Sequence, residues 1–145
     1  MQEYPHLYVA TADGGTEGVI DTGSPGLERI EAMPPAEFDG PGDKWSPETL
    51  LVASVANCYI LTFRAVARAS HFEWHRLAVK VTGVLDRVER VTRFTEFRIE
   101  VQLRLPRDAD QHKALRIAEK SESVCLVTNS LNGDKTLEID IEYDD

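Results

Sequence analysis

Cys58 and Cys125 are the only thiols in this 145-residue chain. Two thiols in one chain can be redox-active. A buried thiol in apolar surroundings is instead a small hydrophobe whose role is packing. Cys58 sits inside an apolar run, where packing is the ordinary role. Cys125 sits among small polar residues at a predicted helix start, where backbone amides favour a thiolate.

The remaining residues offer less. His71 and His75 are four apart, but the helical pattern ends between them. Two imidazoles at that spacing meet only on one continuous helix. They read as surface histidines, not as metal ligands. The chain has no phosphate-binding glycine loop, no dinucleotide fingerprint and no nucleophile elbow. Asp and Glu are numerous but fall mostly on the polar faces of strands, as solvation. No metal and no cofactor is expected.

Residues 46–70 must position Cys58. Ser46 is a helix cap, Pro47 suits the first helical position, and Glu48 faces the positive end of the helix dipole. From residue 50 to 63 the side chains are almost all apolar or small, on every face, which marks a helix for a core. The run lasts about 14 residues before Arg64, short of the ~18 expected of a membrane span. The reading is the central helix of a soluble core.

Strand patterns flank this helix. Residues 6–12, 18–22 and 27–31 read as a meander of short strands, broken by Asp13-Gly14-Gly15 and Gly23-Ser24-Pro25-Gly26. Residues 33–45 carry Pro34, Pro35, Gly40, Pro41 and Gly42 and form a long loop, a common site of function. Phe38 and Trp45 are expected to pin that loop to the core. Residues 74–87 and 97–105 alternate, with Leu77, Val79, Val81 and Leu85 on one face and Phe97, Ile99, Val101, Leu103 and Leu105 on the other strand's inner face. They form an antiparallel hairpin with a solvated turn at 86–93. Residues 110–121 read as a polar helix with a narrow apolar side of Ala114, Leu115, Ile117 and Ala118. Residues 123–131 read as a short helix and 137–143 as a last strand. The class is α+β, antiparallel sheets around a buried helix, in one domain spanning 1–145.

Composition narrows the partners. The chain is 42% hydrophobic and 28% charged, with a net charge of −9. That charge repels nucleic acids and anionic membrane surfaces, so neither is an expected partner. The N-terminus has no basic region followed by an apolar run, so no secretory signal is expected. A reducing cytoplasm is the expected compartment, and there two cysteines are not a structural disulfide framework.

The string Ser46-Pro47-Glu48-Thr49-Leu50-Leu51-Val52-Ala53-Ser54-Val55-Ala56-Asn57-Cys58, followed by Cys125-Leu126-Val127-Thr128-Asn129-Ser130-Leu131, resembles the OsmC/Ohr family. These are the osmotically inducible and organic-hydroperoxide-resistance proteins. Their helix typically reads Asn/Ser-Pro-Glu-x-Leu…Ala-x-Cys, and their second motif Cys-Pro-Val-Ser-x-x-Leu. The order of elements matches as well, and the resemblance spans nearly the whole chain. It implies an intertwined homodimer with sites at the subunit interface, and a cysteine peroxidase that reduces small organic hydroperoxides and is restored by a thiol reductant. Carried across, Cys58 resembles the peroxidatic cysteine, Cys125 the resolving cysteine, and Glu48 the carboxylate that positions an active-site arginine. The resemblance also implies a Cys58–Cys125 disulfide on oxidation.

The arginine itself has no counterpart: Thr16 follows the glycine pair, Phe38 stands ten residues before Glu48, and Leu126 replaces the proline. Arg29, Lys44 and Arg64 are candidate substitutes. The alternative is a non-catalytic dimer of the same fold that binds an apolar small molecule in the interfacial pocket. Helix geometry bears on how the implied meeting of Glu48 with the cysteine could come about. Ten residues separate Glu48 from Cys58, about 15 Å of rise on one helix. Two copies packed antiparallel near Ala53 would bring Glu48 of one level with Cys58 of the other. An obligate homodimer with two shared sites is expected.

Overall fold

The computed structural model describes residues 1–145. In chain order the elements are β1 (Thr11–Asp13), β2 (Ile20–Gly23), β3 (Ile30–Ala32), a single 3-10 turn (Ala36–Phe38), α1 (Pro47–Ala69), β4 (Arg76–Val88), β5 (Val91–Leu105), α2 (Gln111–Ser123), α3 (Leu126–Asn129) and β6 (Asp134–Tyr143). The chain divides into two compact units, Met1–Leu51 and Val52–Asp145, with the boundary inside the start of α1.

The N-terminal unit is the expected meander, β1-β2-β3, antiparallel throughout. Its first strand begins at Thr11, not His6, and Leu7, Tyr8 and Val9 are exposed. The loop at 33–45 is tied to the sheet by backbone, through the bridge of Ala32 with Trp45 and the Met33 amide donating to the Trp45 carbonyl at 2.8 Å. Its aromatic residues do not serve as pins: Phe38 and Trp45 are both about half exposed (52% and 49%). Ser46 caps α1 through a reciprocal pair. Its hydroxyl accepts from the Thr49 amide at 3.1 Å, and its own amide donates to the Thr49 hydroxyl at 2.9 Å.

In the C-terminal unit β4 and β5 form the long antiparallel hairpin. The odd positions of β5 from Phe97 to Leu105 are all buried and the even positions from Arg98 to Arg104 all exposed, as the alternation requires. The turn is tighter than the sequence suggests. Val88 pairs with Val91, and Glu89 and Arg90 both adopt positive φ (51° and 69°), a two-residue reversal that matches strand twist. β6 differs more: it pairs with β5 in parallel, from Glu96–Asp134 to Leu105–Tyr143. A parallel neighbour requires a crossover, and α2 with α3 is that crossover. Gly133 opens β6 at φ 104°, where a Cβ would lie 3.0 Å from the Thr95 carbonyl group.

Helix α1 buries a stripe of Val55, Cys58, Tyr59, Phe63 and Ala67. Within one chain its other faces are open, and Leu61 is 59% exposed. The helix is longer than the 50–63 run alone: by length and composition it could cross a bilayer, at a mean hydropathy of 1.7 over its best 18 residues. Phe63 meets Trp74 edge-on, with ring centroids 5.3 Å apart. At Gly83 of β4 an added Cβ would lie 2.8 Å from the Phe94 ring and 2.9 Å from Val52, so α1 and β4 approach here only because the side chain is absent. His71 follows α1 in a left-handed conformation, and His75 precedes β4 with its Nδ1 bonded to Asp144. The two histidines fall on different elements.

The burial pattern of β5 sets an expected outcome. Replacing Val101, which is 1% exposed, by Asp buries an unpaired carboxylate and should cost roughly 3 kcal/mol or more, or prevent folding. Replacing exposed Gln102 by Thr should cost under about 0.5 kcal/mol. Urea midpoints of the two variants measure the difference.

Candidate dithiol site

Cys58 lies in the middle of α1, and Cys125 is the residue that caps α3. Both are free thiols, 8% and 1% exposed. The local sequence explains the cap. Residues Ser121 to Ser123 end α2, and Val124 donates back to the Lys120 carbonyl at 3.0 Å. Cys125 then takes an extended conformation, and its carbonyl accepts from the Asn129 amide at 3.0 Å and the Thr128 hydroxyl at 3.1 Å. The amides after it, of Leu126 and Val127, have no carbonyl partner within the helix, as at any helix start.

Those amides serve Cys58. Burial pushes the Cys58 thiol up, but hydrogen bonding to the Val127 amide, the Cys125 thiol, the Thr62 hydroxyl and the Leu126 amide outweighs it, and the thiol titrates below its ordinary value. Cys125 moves the other way. Burial raises it, the Thr128 amide and hydroxyl lower it, and the hydrogen bond and the negative charge of Cys58 raise it further. The pair is thus differentiated: the same set of hydrogen bonds displaces the Cys58 thiol downward and the Cys125 thiol upward.

Tyr59, next to Cys58 but fully buried, fixes the crossover to α1. Its hydroxyl donates to the Ala118 carbonyl of α2 at 2.8 Å. Burial, Glu122 and Cys125 all push that phenol up, so it stays a donor throughout the physiological range. α2 is itself set by Asp110, whose carboxylate accepts from the Lys113 amide at 3.2 Å, and by burial of Ala114, Ile117 and Ala118. The chain of contacts closes on itself: α1 holds α2, α2 leads into α3, and the α3 amides return to the sulfur on α1.

The structure therefore brings Cys58 and Cys125 within hydrogen-bonding reach of each other. Glu48 stands in the first turn of α1, three turns before Cys58, with Oε1 buried and lacking a hydrogen-bond partner. Of the candidate cations, Arg29 pairs with Asp21 at 2.8 Å and Lys44 with Glu31 at 2.9 Å, both within the N-terminal unit. Arg64 is exposed on α1. Sequence reasoning missed Thr62, Tyr59 and the two amides. Only the predicted helix start at Cys125 pointed toward the amides.

The profile of the family described as "OsmC-like protein" matches residues 40–140. An uncharacterized protein, YmaD, from Bacillus subtilis is 25% identical over 138 residues, covering 93% of this chain and 92% of that protein. An OsmC-like protein of unknown function from Vibrio cholerae superposes with a TM-score of 0.84 at 15% identity, covering 94% of this chain and all of the other. An organic hydroperoxide resistance protein from Elizabethkingia anophelis superposes at 0.76 with 20% identity, over 99% of this chain and all of the other.

Two outcomes follow from the geometry. Iodoacetamide should label Cys58 well before Cys125 as pH rises through neutrality, because alkylation tracks the thiolate and the two thiols are displaced in opposite directions. Peptide-resolved mass spectrometry against pH measures this. Tyr59→Phe should cost about 1 kcal/mol for the lost buried hydrogen bond, read from the urea midpoint.

Proposed function

Because the chain belongs to the OsmC-like protein family, we propose that it is a cysteine-based peroxidase for small organic hydroperoxides, with Cys58 as the attacking thiolate and Cys125 as the resolving thiol. The observation that carries this reading is that the chain's two free thiols, both buried, lie within hydrogen-bonding reach of each other. The chemistry balances as follows. The Cys58 thiolate attacks the terminal peroxide oxygen, the O–O bond breaks, and the alkoxide leaves and takes up a proton as the alcohol. Cys58 is then a sulfenic acid. Cys125, as thiolate, attacks that sulfur. A disulfide forms, and hydroxide leaves with the Cys125 proton as water. Two equivalents of a thiol reductant cleave the disulfide and are themselves oxidised to a disulfide.

The coupling of the thiols gives this sequence an order. The Cys58 charge is one cause of the raised Cys125 value. Conversion of the thiolate to a neutral sulfenic acid removes that charge, so the resolving thiol ionises more readily once there is something to resolve. The need for a reductant suits a reducing cytoplasm.

The reading includes a homodimer. The N-terminal unit has Ala32 as its one buried hydrophobic side chain, while Leu7, Tyr8, Leu27, Phe38 and Trp45 are exposed. Leu61 of α1 is exposed as well, and Glu48 Oε1 is buried without a partner. A second copy packed antiparallel on α1 would cover that helix and bring its Glu48 beside Cys58.

Purified protein should consume cumene hydroperoxide in the presence of a dithiol reductant. Cys58→Ser should abolish turnover. Cys125→Ser should leave a sulfenic acid that dimedone traps on Cys58. Limited peroxide should link Cys58 to Cys125 within one chain, seen by non-reducing peptide mapping. No consumption with monothiol or dithiol reductants, or peroxide-treated protein with Cys58 unmodified, would overturn the reading. Sedimentation at low micromolar protein should show a dimer burying more than about 2,000 Å²; a folded monomer would remove the shared site.

A further inference from the structure

We infer that Thr62 is a further catalytic residue of the dithiol site, its hydroxyl donating a hydrogen bond to the Cys58 sulfur in the attacking state. The inference deepens the peroxidase reading and rests on it for the word catalytic. The contact itself is geometric. Thr62 stands one turn after Cys58 on α1, and its Oγ1 lies 3.8 Å from Sγ. Sulfur's larger radius makes that a hydrogen-bonding separation.

Hydroxyls within helices ordinarily bond back to the carbonyl one turn earlier. Others in this chain do so: Ser121 donates to the Ile117 carbonyl at 2.7 Å and Ser130 to the Leu126 carbonyl at 2.8 Å. Thr62 turns its hydroxyl to the sulfur instead. Its threonine rotamer is stiff, with few alternatives on a helix, and the residue is half-buried, so water competes weakly for the bond. While Cys58 is protonated, either atom can be the donor. Once the proton leaves, the thiolate can only accept, so the hydroxyl becomes a fixed donor to a charged atom, the stronger kind of hydrogen bond.

The surroundings give this donor weight. Thr16 and Phe38 stand where the family's arginine is expected, and the groups that hold the thiolate are the amides of Val127 and Leu126, the Cys125 thiol and Thr62. Two of these are backbone. Cys125 is consumed during resolution. Thr62 is the donor from a side chain that stays chemically unchanged through the cycle, so it can also hold the sulfenic oxygen or sulfur while Cys125 moves in.

The test uses the full chain and the pH profile of iodoacetamide labelling at Cys58, resolved by peptide mass. Thr62→Val removes the hydroxyl and keeps the branched shape. It should shift the labelling midpoint to higher pH and slow labelling at pH 7 by about threefold to tenfold, the change given by half to one pK unit. Thr62→Ser should restore most of the loss. The urea midpoint should be close to that of the unmodified protein in both; if Thr62→Val does not fold, Thr62→Ala takes its place. A folded Val or Ala variant with an unchanged labelling midpoint overturns the inference, as does a Ser variant as impaired as Val. Labelling needs no peroxide. A midpoint that shifts in a protein that leaves cumene hydroperoxide untouched therefore overturns the peroxidase reading while confirming the Thr62 hydrogen bond.

Discussion

A thiol that ionises in a protein interior must be solvated by something other than water, and at Cys58 that demand falls on neutral donors. Burial alone would raise both thiols. Bonds from the Val127 amide, the Cys125 thiol, the Thr62 hydroxyl and the Leu126 amide together reverse the balance for Cys58. The two amides are free to serve because a chain beginning a helix leaves its first amides unpaired. Everything else in the C-terminal unit bears on whether those amides arrive at the right place. They are 68 and 69 residues beyond Cys58 in the chain, so their approach is a property of the tertiary fold and not of any local motif.

The fold supplies that approach through the parallel strand. β6 returns alongside β5 in the same direction, which obliges the intervening chain to travel the length of the sheet and back. α2 and α3 fill that passage. Tyr59 bonds the middle of the passage to α1, and Gly83 lets Val52 of α1 lie close to the hairpin. Cys58 and Tyr59 are adjacent residues, so the anchor of α2 and the recipient of the α3 amides move as one piece of helix. A change that loosens α2 would reach the sulfur through this bond without touching it.

How much of this the sequence disclosed follows from the range of the interactions. The buried face of β5 was legible because the alternation of Phe97 to Leu105 is a local consequence of burial on one side. The cap of α1 was legible because Ser46 and Pro47 are adjacent to the helix they start. The turn at Glu89-Arg90 was not, since neither residue carries the Asn-Gly signature of a left-handed reversal. The direction of β6 was not, because an edge strand alternates the same way whether its neighbour runs parallel or antiparallel. Within the site, both cysteines were legible as residue types and by resemblance, and Cys125 as a helix start. Thr62 and Tyr59 were hidden because they read as ordinary members of an apolar helix. Only the rotamer of one and the partner of the other, 59 residues away, distinguish them.

Neutral donors and a cation hold a thiolate in different ways. A guanidinium acts through a charge whose field falls off slowly and is screened by salt when exposed. Amides, a hydroxyl and a thiol act only at contact and only when aligned. A thiolate held in this way is therefore less sensitive to ionic strength and more sensitive to small displacements of α3. None of the groups that bond the Cys58 sulfur carries a fixed positive charge, in a chain whose net charge is −9. A cation would attract carboxylates as readily as it stabilises sulfur. Hydrogen-bond donors favour the charge that develops on the reacting atoms and attract no distant anion. Donors of this kind act only at short range, so the positions of Thr62 and of α3 bear directly on the ionisation of Cys58.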